Sequence, residues 1–286
     1  MTRANRPFDG RIAIVTGAGS GIGAALSEAL ARRGSRVVAA DIDADDAEAV
    51  ARRIRELGGK ASARTVDVCA FADVDALVHE TVAEHGRLDY VFNNAGIGGG
   101  GEIADYTIAA WERIIGVNLR GVINGVQAAY PVMRRQGFGH IVNTASIAGL
   151  TTWPGMASYT TTKHAVVALS RVLRAEARAH GVRVTVLCPG VIRTPLLEGG
   201  KHGIFLAPIP EATQRAASLA ALERLRPMDA AAFAEKAVAR VARGAAIVIV
   251  PGWWRVFWWI ERAAPAVTLR LARLAVEQRR RRAAEP

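Results

Sequence analysis

Thr16-Gly17-Ala18-Gly19-Ser20-Gly21-Ile22-Gly23 is the stretch on which the architecture turns. The apolar, β-branched run Arg11–Thr16 leads into it and predicts a strand. The stretch Ile22–Arg33 follows it and predicts a helix. Outward from this unit the alternation repeats. Further strands are expected at Arg36–Asp41, Ala63–Val68, Tyr90–Asn93, His140–Thr144, Arg183–Cys188 and Ala246–Val250. Between them the patterns at Ala44–Leu57, Val74–His85, Trp111–Arg135, Ser158–His180 and Ala230–Ala242 predict helices. Short strands alternating with longer helices mean βαβ units and a parallel sheet. The expected fold is therefore α/β, a doubly wound, seven-stranded parallel sheet of the Rossmann type forming one domain over residues 1–251.

The glycines have a chemical reading as well. They permit a tight turn and a close approach of backbone to a pyrophosphate, and the helix that follows offers unpaired N–H groups and a positive dipole end. Gly17, Ser20, Gly21, Ile22 and Gly23 are the expected phosphate contacts. The spacing Gly17-x-x-x-Gly21-x-Gly23 departs from G-x-G-x-x-G, so the loop alone is a weak signal. Asp41 strengthens it, standing at the end of the second strand, 24 residues after Gly17. A carboxylate there would accept from an adenosine ribose. It would also repel a 2′-phosphate, and no Lys or Arg stands at Ser20 or Ile42 to offset it. The expected cofactor is NAD in preference to NADP. Asp43 is a weaker rival for the ribose, and Asp41 could instead cap the next helix.

Tyr159-Thr160-Thr161-Thr162-Lys163 sets a phenol and an ammonium four residues apart, on one helical face. A nearby cation favours phenolate, so the phenol is expected to titrate below its reference value of about 10. Such a group could take a proton from an alcohol or return one to a carbonyl. Ser146 lies 13 residues earlier, just after a predicted strand, and Asn118 lies in the helix before that. With the glycine loop, Asn93-Asn94-Ala95-Gly96 and Pro189-Gly190-Val191-Ile192-Arg193-Thr194, this order resembles the short-chain dehydrogenase/reductase family from about Arg11 to Val250.

The resemblance implies a role for each matching position. Tyr159 would be the general acid/base, Lys163 would lower its pKa and bind the nicotinamide ribose, and Ser146 would polarise the substrate oxygen. Asn118 would hold a water in a proton relay. Asp67 and Val68 would contact the adenine, Asn94 and Gly96 the adenosine ribose. Pro189, Gly190, Ile192 and Thr194 would line the nicotinamide side, the last two holding the carboxamide, while Asn93 ties the sheet together. No metal is implied. Family members are often dimers or tetramers, so a homodimer or homotetramer is expected.

Residues 195–227 would form a lid. Its Leu196, Leu197, Ile204, Phe205, Leu206, Ile209 and Leu219, with Trp153, suggest a small lipophilic secondary alcohol or ketone as substrate. Packing of a mobile loop against the core would explain the same residues. Two alternatives remain: a 3-oxoacyl thioester reductase docking an acidic carrier through Arg120 and Arg171, and a nucleotide-sensing homologue without activity.

The 286 residues carry a net charge of +11, of which +5 falls in 252–286, with eight Arg against three Glu. This Trp- and Arg-rich extension reads as amphipathic. Arg255, Glu261 and Arg262 interrupt its apolar run, which argues against a spanning helix. Interfacial Trp followed by Arg suggests peripheral contact with an anionic membrane, at its inner face; the competing explanation is that these tryptophans cover a neighbouring subunit or roof the pocket. No nucleic-acid motif is present. Cys69 and Cys188 match no metal spacing and point to a reducing, cytoplasmic setting, Cys188 as a buried, inert thiol. The six His follow no motif.

Overall fold

The computed structural model describes residues 7–198, 200–206 and 223–284. Seven strands, β1 (Ile12–Thr16), β2 (Arg36–Asp41), β3 (Lys60–Thr65), β4 (Tyr90–Asn93), β5 (Gly139–Thr144), β6 (Val182–Pro189) and β7 (Ile247–Val250), form one sheet. Its order is β7-β6-β5-β4-β1-β2-β3 and every adjacent pair is parallel. This is the doubly wound sheet that the alternation predicts. All five residues of β1 are buried, as a strand covered on both faces requires.

One face is covered by α1 (Gly21–Ala31) and α7 (Ala230–Ala242), packed around Phe8, Leu26, Phe92 and Phe233. The other carries α3 (Phe71–His85) and α5 (Gly121–Gln136) over Ile14, Leu77, Met133 and Ile141. The winding reverses between β1 and β4, opening a crevice at the carboxyl ends of the strands where ligands of such sheets bind. The remaining α-helices among the described residues are α2 (Ala44–Glu56), α4 (Ile108–Ile115), α6 (Ala157–Ala177), α8 (Trp254–Ala263) and α9 (Pro265–Ala284).

Three expectations are corrected. The third strand lies at Lys60–Thr65 and not Ala63–Val68. The β-branched Val66 and Val68 are buried as loop residues beside α3, which starts at Phe71 and not Val74. The single helix expected over Trp111–Arg135 is two helices joined by a π-turn at Gly116–Arg120. The C-terminal extension is two helices, and it enters the body at once, with Trp254 only 4% exposed.

Candidate active site

Every position expected to bind or react, apart from lid residues, lies at or just beyond the carboxyl edge of the sheet. Gly17 has φ +63°, and a Cβ there would sit 2.7 Å from the Ala95 Cα. A Cβ on Gly23 would fall 1.8 Å from the Gly17 carbonyl oxygen. Glycine at both positions is thus a steric requirement of the tight loop. Ser20 is the N-cap of α1 but its hydroxyl makes no capping bond, leaving first-turn N–H groups for an anion. The hydroxyl of Thr16 accepts from the Asn94 and Ala95 N–H groups at 3.0 and 3.1 Å, which fastens Asn94 to the loop.

Asp41 ends β2 with one carboxylate oxygen accepting from the Gly19 N–H at 2.8 Å and the other from the Asp43 N–H at 3.2 Å. It therefore faces the glycine loop. Asp43 caps α2 through the Asp46 N–H and pairs with Lys201 at 2.8 Å, and that ammonium holds its carboxyl below the usual range. The ribose assignment thus favours Asp41 on geometry. Asp67 is in the loop beyond β3, partly exposed, its carboxylate accepting from the Cys69 N–H, while Asn124 bonds the Val68 carbonyl at 2.8 Å.

Ser146, Tyr159, Lys163 and Asn118 come together as buried residues. Ser146 follows β5 and its hydroxyl accepts from the Ala148 N–H at 3.1 Å. Tyr159 and Lys163 share the buried face of α6, with the ammonium 5.5 Å from the phenol ring centroid. Burial pushes the Tyr159 phenol above its ordinary value, against a hydrogen bond from Ser146 that lowers it. The phenol expected to titrate low is thus held high, because desolvation outweighs that hydrogen bond. Burial also brings Lys163 down to about 8. Its ammonium donates to the Thr144 carbonyl at 3.1 Å, its one acceptor among the described residues. A Cβ on Gly96 would stand 3.3 Å from this nitrogen, so the bare glycine leaves the remaining N–H groups a way out. Free donors beside the loop that fastens Asn94 fit a ribose.

Asn118 sits in the π-turn, a distortion that often marks functional positions. Its amide is paired with Ile97 in both directions, accepting from the N–H at 2.8 Å and donating to the carbonyl at 3.0 Å. It staples the loop after β4 to the α4–α5 junction. Asn93 donates to Asn143 at 2.8 Å, and Asn143 to Ser170 at 3.0 Å, a cross-strand tie as expected.

Gly190 follows β6 and bonds the Val250 carbonyl, and Ile192 pairs with Met228 in a short parallel ladder. Thr194 rests against the phosphate loop, 3.2 Å from where a Gly21 Cβ would lie. Of the lid, Leu196 and Leu197 are half-buried, and Ile204–Phe205 pairs with Gly99–Gly100. Ile209 and Leu219 fall outside the described residues. The Gly99–Gly101 strip passes the start of α6, where Gly101 bonds the Gly155 carbonyl at 2.9 Å.

Three residues of the extension make contacts that have no signal in sequence spacing. Trp254 packs on Gly190 and on Trp153, with ring centroids 5.8 Å apart in the second pair. Glu261 accepts from the Thr152 hydroxyl at 2.9 Å, and Arg280 pairs with Glu102. His140, fully buried, is held neutral with a pKa near 3 by burial and the field of Arg183. Its Nε2–H donates to Thr185, whose own proton goes to the Ala245 carbonyl. Burial pushes the Cys188 thiol up to about 12.

Fold and site together define an oxidoreductase on a dinucleotide-binding scaffold. Residues 11–202 match the family model described as short chain dehydrogenase. The chain is 36% identical over 204 residues to levodione reductase of Leifsonia aquatica, covering 69% of this chain and 76% of that one. To cyclohexanol dehydrogenase of an Acinetobacter species it is 39% identical over 191 residues, covering 66% and 76%. A Burkholderia phymatum short chain dehydrogenase/reductase in complex with NAD superposes with a TM-score of 0.80 at 30% identity, covering 91% of this chain and 96% of that one. A metagenomic short-chain oxidoreductase in complex with NADP gives 0.62 at 36% identity, over 65% and 85%. The chain belongs to the short-chain dehydrogenase family.

Proposed function

We propose that the protein interconverts a lipophilic secondary alcohol and its ketone, using NAD in preference to NADP. The observation that carries this is the buried cluster of Ser146, Tyr159 and Lys163 at the end of β5, facing the loop that Asp41 and the glycines build. Relatives named levodione reductase and cyclohexanol dehydrogenase support the reaction class.

Bound in the crevice, NAD supplies the hydride acceptor for alcohol oxidation and, reduced, the donor for ketone reduction. Tyr159 takes the hydroxyl proton in one direction and returns it in the other. Ser146 donates a hydrogen bond to the substrate oxygen, most strongly when it carries negative charge. Lys163 uses its spare N–H groups on the ribose, and the charge of the engaged lysine offsets the burial that holds the phenol high. Ile192 and Thr194 orient the carboxamide, while Asp67, Val68, Asn94 and Gly96 seat the adenosine half. Asn118 holds the loop that carries Gly96 in register and, through a bound water, links Lys163 to solvent. Leu196, Leu197 and Trp153 exclude water from an apolar substrate.

The protein acts as a homodimer or homotetramer in the cytoplasm, with residues 252–286 at an anionic membrane surface. A panel of cyclic, terpenoid and long-chain secondary alcohols, assayed with NAD and with NADP, tests the reading. NAD-dependent turnover of an apolar member is expected. Turnover confined to acyl thioesters with NADPH, or none at all, would overturn it.

A further inference from the structure

Helices α8 and α9 divide their side chains in an unusual way. On α8 the inward face is Trp254, Trp258 and Glu261, spaced as one helical stripe. The outward stripe is Trp253, Val256, Phe257 and Ile260, all exposed, joined by Trp259 at 60%. On α9 the half-buried residues are Thr268, Ala272 and Val276, one turn apart, while Val267, Leu269, Leu271 and Leu274 are each at least half exposed. Nine large apolar side chains on two adjoining helices are thus open to solvent, a concentration that marks an interaction surface.

The helices are nevertheless firmly seated. Trp254 is buried against Gly190, Glu261 is bonded to Thr152, and Arg280 is paired with Glu102. Thr152 and Trp153 lie between Ser146 and Tyr159 in the chain, and Glu102 follows the glycine strip that passes the start of α6. The extension is therefore anchored on the segment between Ser146 and Tyr159 and on the residue after the glycine strip, while its large apolar side chains are open to solvent.

Charge decides what covers that surface. Arg255, Arg262, Arg270 and Arg273 are interspersed with the apolar residues, and Arg262 lies 5.7 Å over the Trp258 ring. Glu261 and Glu277 are already bonded to Thr152 and Arg273. A second copy turned face to face would set these arginines against their own kind. An anionic bilayer answers both features, accepting the aromatic and aliphatic side chains below its headgroups and the arginines among them.

We propose that α8 and α9 dock the enzyme on an anionic lipid bilayer, and that the docked enzyme draws its apolar substrate from the lipid through the mouth bordered by Glu102, Thr152 and Trp153. The delivery half rests on the lipophilic-substrate reading above; the docking half does not.

The test uses the full chain and a variant carrying V256S, W259S, L271Q and L274Q, all on the outward faces. Both are sedimented with vesicles of phosphatidylcholine alone and with phosphatidylglycerol added. The native chain should bind the anionic vesicles at least tenfold more tightly than the neutral ones, and the variant should lose at least tenfold. A second variant, R255Q with R270Q, should lose the preference for anionic lipid while keeping the weaker neutral binding. Native protein that ignores both vesicles, a quadruple variant that binds as tightly as the native chain, or a variant whose only change is dissociation of an oligomer overturns docking. For delivery, turnover of a secondary alcohol dissolved in the vesicles should fall about tenfold in the quadruple variant, with a water-soluble alcohol unaffected. An equal loss on both alcohols overturns delivery. Absence of turnover on either alcohol by the native chain sinks the oxidoreductase reading and delivery together, and leaves docking to the sedimentation result.

Discussion

The indole of Trp254 occupies the space a side chain on residue 190 would need: a Cβ on Gly190 would lie 2.1 Å from Nε1. A residue of the C-terminal extension thus sets what is allowed in the loop assigned to the nicotinamide end of the cofactor.

Replacing Gly190 by Ala should displace Trp254 and cost about 1–3 kcal/mol, the usual penalty for overpacking. The KM for the cofactor should rise with it. Adding Trp254→Leu makes room and should restore much of both losses. Thermal unfolding and cofactor titration of the single and double variants decide this, and a single variant of native stability refutes the contact.

Tyr159→Phe removes the proton donor and keeps the ring. Turnover should drop by more than about a hundredfold, as loss of general acid/base catalysis does. Cofactor binding, followed by quenching of tryptophan fluorescence, should survive. Near-native turnover would end the assigned mechanism.

For Asp41, the expectation is a higher kcat/KM with NAD than with NADP. Asp41→Ala together with Ile42→Arg should narrow or reverse that ratio, by removing a carboxylate and adding a cation where a 2′-phosphate would lie. A native chain that prefers NADP refutes the assignment.

Lys163 is a cation whose burial lowers its pKa from 10.5 to about 8. The folded state favours the neutral amine, so this contribution to stability is present above the unfolded value and is lost as pH falls through 8. At neutral pH the charged lysine is a net cost. Lys163→Met should therefore raise the stability of the cofactor-free protein by roughly 2–3 kcal/mol while abolishing turnover. Denaturant titration near pH 7 measures it; a destabilised variant would contradict the burial argument.

His140 carries a second pH dependence of the same sign. Its folded pKa near 3 lies below the ordinary 6.5, so its contribution is present above about 6.5 and lost as pH falls toward 3. By pH 5 the loss should reach about 2 kcal/mol. In His140→Gln, which retains a donor for Thr185, the stability curve should flatten over that range.

The sheet was legible in the sequence because each buried strand had to be apolar and each crossover helical. Where packing decides, the pattern misled. Val66 and Val68 look like strand residues, yet they fill space beside α3 while β3 ends at Thr65. The π-turn around Asn118 leaves no mark in helical periodicity, since it changes hydrogen-bond partners and not side-chain type. The side chains that the fold gathers as buried neighbours, Asn118, Ser146, Tyr159 and Lys163, were singled out by motif order. Their electrostatics were not, because the pKa of Tyr159 depends on how far burial and the Ser146 hydrogen bond oppose each other. The contacts of Trp254, Glu261 and Arg280 join residues far apart in the chain and could not be read from spacing.

Those last three contacts give the protein a built-in order of assembly. Chains are made from the N-terminus, and early segments can fold first. β1 and the glycine loop leave the ribosome long before Trp254, Glu261 and Arg280 do. The glycine loop and the strands around it can form on a nascent chain, while the contacts on Glu102, Thr152 and Trp153 wait for residues made much later. A chain stopped before Trp254 would keep the glycine loop and Asp41 but lose the indole that packs on Trp153 and Gly190.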